Sequence, residues 1–152
     1  MDALIERAEQ SDLKKILDLQ YLAYQSEARL FNDKNIPPLM QTLSDIEAEF
    51  RAGIILKAVR DDDIIGSVRG RVEAGTTYVG KLIVHPKYQG RGLGTKLLAA
   101  IERHSPTARY ELFTSTRSLR NISLYERLNY KKFREQKITD ELTFVYLEKF
   151  LR

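Results

Sequence analysis

The chain has 152 residues, 43% of them hydrophobic and 30% charged, which is one domain's worth of globular protein with enough apolar material for a core. It has no cysteine and only two histidines, His85 and His104, which excludes a disulfide framework, a thiolate zinc site and a cysteine nucleophile and leaves no histidine-rich metal site. Lysine and arginine number 25 against 21 acids, a charge of +4 dispersed without a basic block, which suits an anionic small molecule better than nucleic acid.

Residues 3–9 read as a short edge strand. Ser11 is then placed to cap a helix carrying Leu13, Ile16, Leu17, Gln20, Tyr21 and Tyr24 at helical spacing, its apolar stripe turned to a sheet. Residues 31–40 read as a loop, because Pro37-Pro38 cannot continue a helix. Ser44-Asp45-Ile46-Glu47 has the form of a capping box, which predicts a short helix from 45 to about 51, ended by Gly53. Three strands follow as a meander: 54–59, a turn at Asp61-Asp62-Asp63, 64–72, a turn at Gly75-Thr76, and 77–85. Pro86 breaks the third. A glycine-rich loop leads into a helix with Leu93, Leu97, Leu98 and Ile101 on one face, stopped by His104-Ser105-Pro106. A strand at 109–114, a helix at 118–128, a strand at 130–137 and a last strand at 142–147 complete the chain. The order β-α-α-β-β-β-α-β-α-β-β predicts one α+β domain over residues 1–152, with helices flanking a central mixed, mostly antiparallel sheet.

The strongest chemical signal is Leu82-Ile83-Val84-His85-Pro86-Lys87-Tyr88-Gln89-Gly90-Arg91-Gly92-Leu93-Gly94-Thr95. An apolar strand runs into glycines, and the glycines run into a helix. Glycine admits positive φ and close approach of backbone to a ligand. The free N–H groups of a helix's first turn favour an anion. Together these make a pyrophosphate cradle. A P-loop needs Gly-Lys-Ser/Thr, and here Gly94-Thr95-Lys96 transposes it. A dinucleotide fingerprint needs Gly-x-Gly-x-x-Gly in a parallel unit, and here the glycines fall at 90, 92 and 94 after a meander.

The pattern that fits is Gln-x-x-Gly-x-Gly, made by Gln89, Gly92 and Gly94. It resembles the GCN5-related N-acetyltransferase family, and the element order along the whole chain is similar to that family's. A second motif, Asn121-Ile122-Ser123-Leu124-Tyr125-Glu126-Arg127-Leu128-Asn129-Tyr130, resembles the family's late helix and strand entry, with Asn129 where a glycine is usual; asparagine is the next-best residue for a left-handed helix end. The resemblance implies acetyl-coenzyme A as co-substrate, no metal, and direct transfer of an acetyl group to a primary amine. It implies that Leu82, Ile83 and Val84 offer backbone groups to the pantetheine, and that Gln89, Gly90, Arg91, Gly92, Leu93, Gly94 and Thr95 hold the pyrophosphate. A non-catalytic acyl-CoA-binding module on the same fold is the alternative.

Tyr125 is the candidate acid for the departing thiolate: a phenol near pKa 10 and a thiol near 8.5 make that proton transfer only slightly uphill. Asn121, one turn earlier, shares its helix face. The family's usual asparagine, seven residues before the tyrosine, corresponds to Ser118, so either Asn121 or Ser118 is available to the pantetheine. The general base stays open. Where some members carry a glutamate this chain has Tyr78, a poor base when neutral, with Glu73 and Glu111 the nearest acids, and a water or the amine's own equilibrium as the remaining choice. His85 is a less favoured base, and His104 suits a helix C-terminus. Lys87, Arg91 and Lys96 are placed to meet phosphates. Tyr21, Tyr24, Phe31 and the Ile36-Pro37-Pro38-Leu39 loop would wall the acceptor side. The acceptor itself is left open, as is the choice between monomer and homodimer. No apolar run is long enough to span a membrane, and the acidic N-terminus is unlike a signal peptide, so a cytoplasmic location is expected.

Overall fold

The computed structural model describes residues 2–31 and 36–151, with the backbone alone at Glu27, Leu30 and Phe31. Its strands are Leu4–Arg7 (β1), Ile54–Arg60 (β2), Asp63–Glu73 (β3), Thr76–Val84 (β4), Arg109–Ser115 (β5), Lys131–Lys137 (β6) and Thr143–Phe150 (β7). They form one sheet in the order β1-β2-β3-β4-β5-β7-β6. β1 to β4 are antiparallel neighbours, β4 and β5 are parallel, and β7 inserts antiparallel between β5 and β6. The two tight turns of the meander are each built on a pair of left-handed residues, Asp61-Asp62 and Ala74-Gly75, the conformation that matches the twist of a two-residue hairpin. The helices are Leu13–Ala23 (α1), Gln25–Phe31 (α2), Pro37–Met40 (α3), Leu43–Ala52 (α4), Leu93–His104 (α5) and Leu119–Arg127 (α6).

Three local expectations are corrected. The start of α1 is fixed by Asp12 rather than Ser11: the Asp12 carboxylate accepts the Glu9 N–H at 2.7 Å. The helix predicted from Ser44 begins earlier, because Thr42 is its cap and exchanges hydrogen bonds with Asp45 at 2.9 and 3.2 Å. The predicted loop at 31–40 contains a helical turn at its end, since Pro37 cannot continue a helix but can start one; residues 32–35 lie outside the described residues. Gly53 does end α4, with its N–H on Glu49 O at 3.1 Å.

α5 packs on one face of the sheet, with Leu93, Leu97, Leu98 and Ile101 buried against Leu56, Ile65 and Val68. Each such side chain contributes about 1.5–3 kcal/mol when fully buried. Contact is close because β3 carries Gly66 and Gly70: a Cβ at Gly66 would stand 2.9 Å from Leu97 Cδ1. α1 and α4 cover the opposite face, where Leu13, Ile16 and Ile46 cluster with Ile55 of β2. β6 is the far edge strand, exposed along its length and carrying Lys131, Lys132, Arg134 and Lys137.

A buried cation ties α1, α4 and the chain between them to β3. Arg69 is 5% exposed. Its guanidinium donates to Glu49 and Gln20, and to Gln41 Oε1 at 2.9 Å. Gln20, fully buried, donates to Pro38 O at 2.7 Å and to Gln41 Oε1 at 2.9 Å. Gln41 in turn donates to Glu49 at 2.8 Å. Burial disfavours the charged guanidinium, and Glu49 offsets that only in part. Removing the anion should therefore cost more than its own contacts. Glu49→Ala should lower the unfolding free energy by about 3 kcal/mol, the lower end for a buried charge left without its partner. Urea denaturation would check this; an unchanged midpoint would mean that the two glutamines alone support Arg69.

Candidate active site

The site begins where two strands part. β4 and β5 are paired only at Thr76, Thr77 and Tyr78 with Arg109, Tyr110 and Glu111. Beyond that point β4 bends away. The pairing of β3 with β4 slips between Ser67 and Arg69, opposite Lys81, whose φ is +48°. A bulge of this kind increases local twist and re-aims side chains. The β5-facing backbone groups of the rest of β4 are thereby left without a strand partner, an edge that an extended ligand can pair with.

One cavity, about 640 Å³, lies between the end of β4, the glycine loop and α6. Leu82, Ile83, Val84, Gln89, Gly90, Gly92, Leu93 and Gly94 line it, as the sequence suggests, and so do Ser118 and Asn121. Gly90 and Gly92 have φ of +76° and +83°, and Gly92 is the N-cap of α5. Gly94 serves packing instead: a Cβ there would meet Leu124 Cδ2 at 3.2 Å. Gln89 braces the loop, donating to Val84 O at 3.2 Å and accepting from Arg120 at 3.3 Å.

A second cavity, about 520 Å³, lies between β4, β5, the segment 36–45 and the start of β7. Tyr125, Val79, Gly80, Lys81, Leu112 and Thr114 are among its walls. The two cavities share Tyr24, Leu82 and Asn121. Asn121 is held by a 3.4 Å hydrogen bond to Thr114 Oγ1. Tyr125 is 6% exposed, its ring 6.2 Å from that of Tyr130. It is fixed by the end of α6, where Asn129 takes the left-handed conformation expected of it (φ +75°) and the Tyr130 N–H reaches back to Tyr125 O at 3.0 Å. Tyr130 donates its own hydroxyl to Glu102 at 2.8 Å, and burial and that neighbouring carboxylate push its phenol far up.

Several expected residues stand elsewhere. Arg91 and Thr95 belong to the loop and α5 but are not among the walls of either cavity, nor are Lys87 and Lys96. Among the described residues the cations lining the first cavity are Arg117, Arg120 and Arg127. Reading the sequence missed them; their signal is the spacing of Arg120 and Arg127 with Ser123 along one face of α6. The open base candidates do not line the second cavity. Glu111 is paired with Arg109 at 2.9 Å, Glu73 is exposed beside Arg71, and the Tyr78 ring is covered by Arg71 at 4.8 Å. His85 accepts the Lys87 N–H at 3.1 Å and shapes the turn. Of the acceptor-side residues, Tyr24, Ile36, Pro37 and Pro38 are walls, whereas Tyr21 donates to Gln41 O; the side chain of Phe31 is outside the described residues.

Residues 13–130 match the acetyltransferase (GNAT) family. The chain belongs to that family. Among solved structures, the GNAT fold recurs in the ribosomal-protein-S18-alanine N-acetyltransferase from Escherichia coli (TM-score 0.80, 16% identity, 97% of this chain and 92% of that one). It recurs in YncA from Salmonella typhimurium, a putative acetyltransferase solved with its cofactor acetyl-CoA (TM-score 0.76, 20% identity, 100% and 95%). A Bacillus subtilis relative, UPF0157 protein YqkA, is 24% identical over 133 residues, which are 87% of this chain and 38% of that protein. The chain thus spans well under half the length of this curated relative. No helix among the described residues is long and apolar enough to cross a membrane.

Of the four cavity-lining glycines, Gly92 and Gly80 separate conformation from space, since a Cβ at either would find nothing within 4 Å and only Gly92 of the two has positive φ. Gly92→Ala should cost about 1–2 kcal/mol of stability through its left-handed backbone. Gly80→Ala should be nearly neutral. Urea melts of both variants would test this, and equal losses would contradict it.

Proposed function

We propose that this GNAT protein is an acetyl-CoA-dependent N-acetyltransferase, its catalytic domain extending over residues 1–152, that moves an acetyl group directly onto a primary amine while both substrates are bound. The reading is carried by the two cavities that meet at Leu82 and Asn121, one against the glycine loop and one against Tyr125. The first has the chemistry a coenzyme A pyrophosphate requires: left-handed glycines, the N-terminus of a 12-residue helix, and three arginines at its wall. The strand edge from Leu82 to Val84 suits the pantetheine amides, which would add to it as a short strand.

Bound acetyl-CoA supplies a thioester with an electrophilic carbonyl carbon. The chain's own part is to hold and orient. Leu82 and Asn121, common to both cavities, mark where that carbon and the amine meet. Tyr125 hydrogen-bonds and protonates the sulfur as charge develops on it. With phenols at about 10 and thiols at about 8.5, that transfer is uphill by about 2 kcal/mol, small against what a positioned donor recovers. No acid among Tyr78, Glu73 and Glu111 faces the acceptor, so the ammonium loses its proton to water or through its own equilibrium.

Acetyl-CoA at about a hundred times its dissociation constant should stabilise the fold by about 2.7 kcal/mol, read as a rise in melting temperature. An unchanged melt at millimolar ligand would remove the coenzyme from this reading. Tyr125→Phe should lower kcat by about 10²-fold or more at saturating acetyl-CoA across a pH series, with little change in coenzyme affinity. Tight coenzyme binding without turnover of any amine would instead assign a binding module.

The arginines make a separate expectation. Arg120→Gln should weaken coenzyme A binding about tenfold, the scale of one charge-assisted hydrogen bond. Arg91→Gln should change it much less. Calorimetry with coenzyme A and with its dephosphorylated pantetheine fragment would show whether the loss follows the phosphates.

A further inference from the structure

The acceptor cavity has a charge pattern that the reaction just proposed does not use. Its walls are apolar over most of their area, with Ile36, Pro37, Met40, Phe113, Leu142 and Phe144 among them. Among the described residues two charged ones line it, Asp45 and Lys81. Asp45 is exposed at the mouth, its carboxylate occupied by the start of α4, where it accepts the Thr42 N–H at 2.9 Å. Lys81 is more sheltered, its side chain 26% exposed.

The surroundings of Lys81 leave it short of negative charge. Its Nζ is 3.9 Å from Glu49 Oε1, the outer limit of an ion pair. The other oxygen of Glu49 is already taken by Arg69 and by Gln41. Two cations therefore lean on one carboxylate, and the ammonium has three donors to satisfy. Burial opposes the charged form of Lys81, Arg69 adds to that, and Glu49 only partly offsets it. An incoming anion would complete the set.

We propose that the acceptor is a free α-amino acid with an apolar or aromatic side chain, and that Lys81 fixes it by its carboxylate. This rests on the acetyltransferase reading above. Position along the strand supplies the argument: Lys81 sits on the bulge immediately before Leu82, where the two cavities meet. In an α-amino acid a single carbon separates carboxylate from amine. A carboxylate held by the Lys81 ammonium would keep the amine within one carbon of it, inside the cavity that Leu82 and Asn121 also line, and leave the side chain to the apolar walls. A polyamine or a lysine ε-ammonium would bring a second cation toward Lys81 and Arg69 instead. In the transfer, the α-nitrogen bonds the acetyl carbon as the C–S bond breaks. Of the two protons the ammonium gives up, one leaves on the coenzyme thiol and the other passes to solvent. The product is an N-acetyl amino acid.

The test has a kinetic and a binding arm. With saturating acetyl-CoA, L-phenylalanine and L-leucine are compared with their carboxamides, in the parent and in Lys81→Gln. The carboxamides should show KM raised about tenfold or more in the parent, with kcat less affected, and Lys81→Gln should bring acid and carboxamide to the same KM. In the second arm, N-acetyl-L-phenylalanine and its methyl ester are titrated calorimetrically without coenzyme. The acid should bind about tenfold tighter than the ester to the parent and equally to Lys81→Gln. Equal binding of acid and ester by the parent, an unchanged preference in Lys81→Gln, or faster turnover of spermidine than of any amino acid would overturn the proposal. The second arm needs no catalysis, so it separates failure of the carboxylate site from failure of the acetyltransferase reading, which the coenzyme melts test.

Discussion

The structure depends on a strand pairing that stops early. After Tyr78 and Glu111 the central parallel pair of the sheet is abandoned, and the backbone at Lys81 turns left-handed to accommodate the change of direction. A non-glycine residue in that region carries a conformational cost, and a neighbouring hydrogen-bond ladder goes unmade. What the cost provides is a polar strand edge opening onto both cavities. The rest of the molecule keeps that edge from closing. α5 packs on one face against Gly66 and Gly70, the Arg69 network fastens α1 and α4 to the other, and β7 holds β5 in place along its whole length.

The Arg69 network also explains how the acceptor side is organised without a large core of its own. The segment joining α1 to α4 carries only the short helices α2 and α3, and Pro38 and Gln41 are both hydrogen-bonded into the buried cluster. The apolar walls at Ile36 and Pro37 are thus positioned by polar contacts behind them. Buried polar groups of this sort are costly unless every partner is in place. In such an arrangement, pocket shape and fold stability are coupled through the same few side chains.

What the sequence made legible were features carried by local pattern. The glycine loop, the left-handed Asn129 and the hairpin turns depend on conformations that only a few residue types tolerate, so those residues announce them. Cap positions were less legible. Thr42 with Asp45 and Ser44 with Glu47 both offer a hydroxyl and an acid three residues on, and it is Thr42 and Asp45 that exchange hydrogen bonds at the start of α4. Arg120 and Arg127 were not legible because their place on the cavity wall comes from where α6 lies against the loop, a relation between segments about thirty residues apart. Nor did chain order reveal that β7 slips between β5 and β6. Nearness of Glu73 and Glu111 in sequence to the site likewise said nothing about which way their side chains face.

β6 has a further consequence. An edge strand exposed along its full length offers a row of unsatisfied backbone groups to any other chain, and is the natural starting point for edge-to-edge aggregation. Here the row is guarded by Lys131, Lys132, Arg134 and Lys137, which a second copy of the same strand would have to bring against its own lysines and arginines. That repulsion opposes joining sheet to sheet, and salt would weaken it. The mild positive charge of the whole chain is therefore spent partly on colloidal behaviour, at the edge farthest across the sheet from β1.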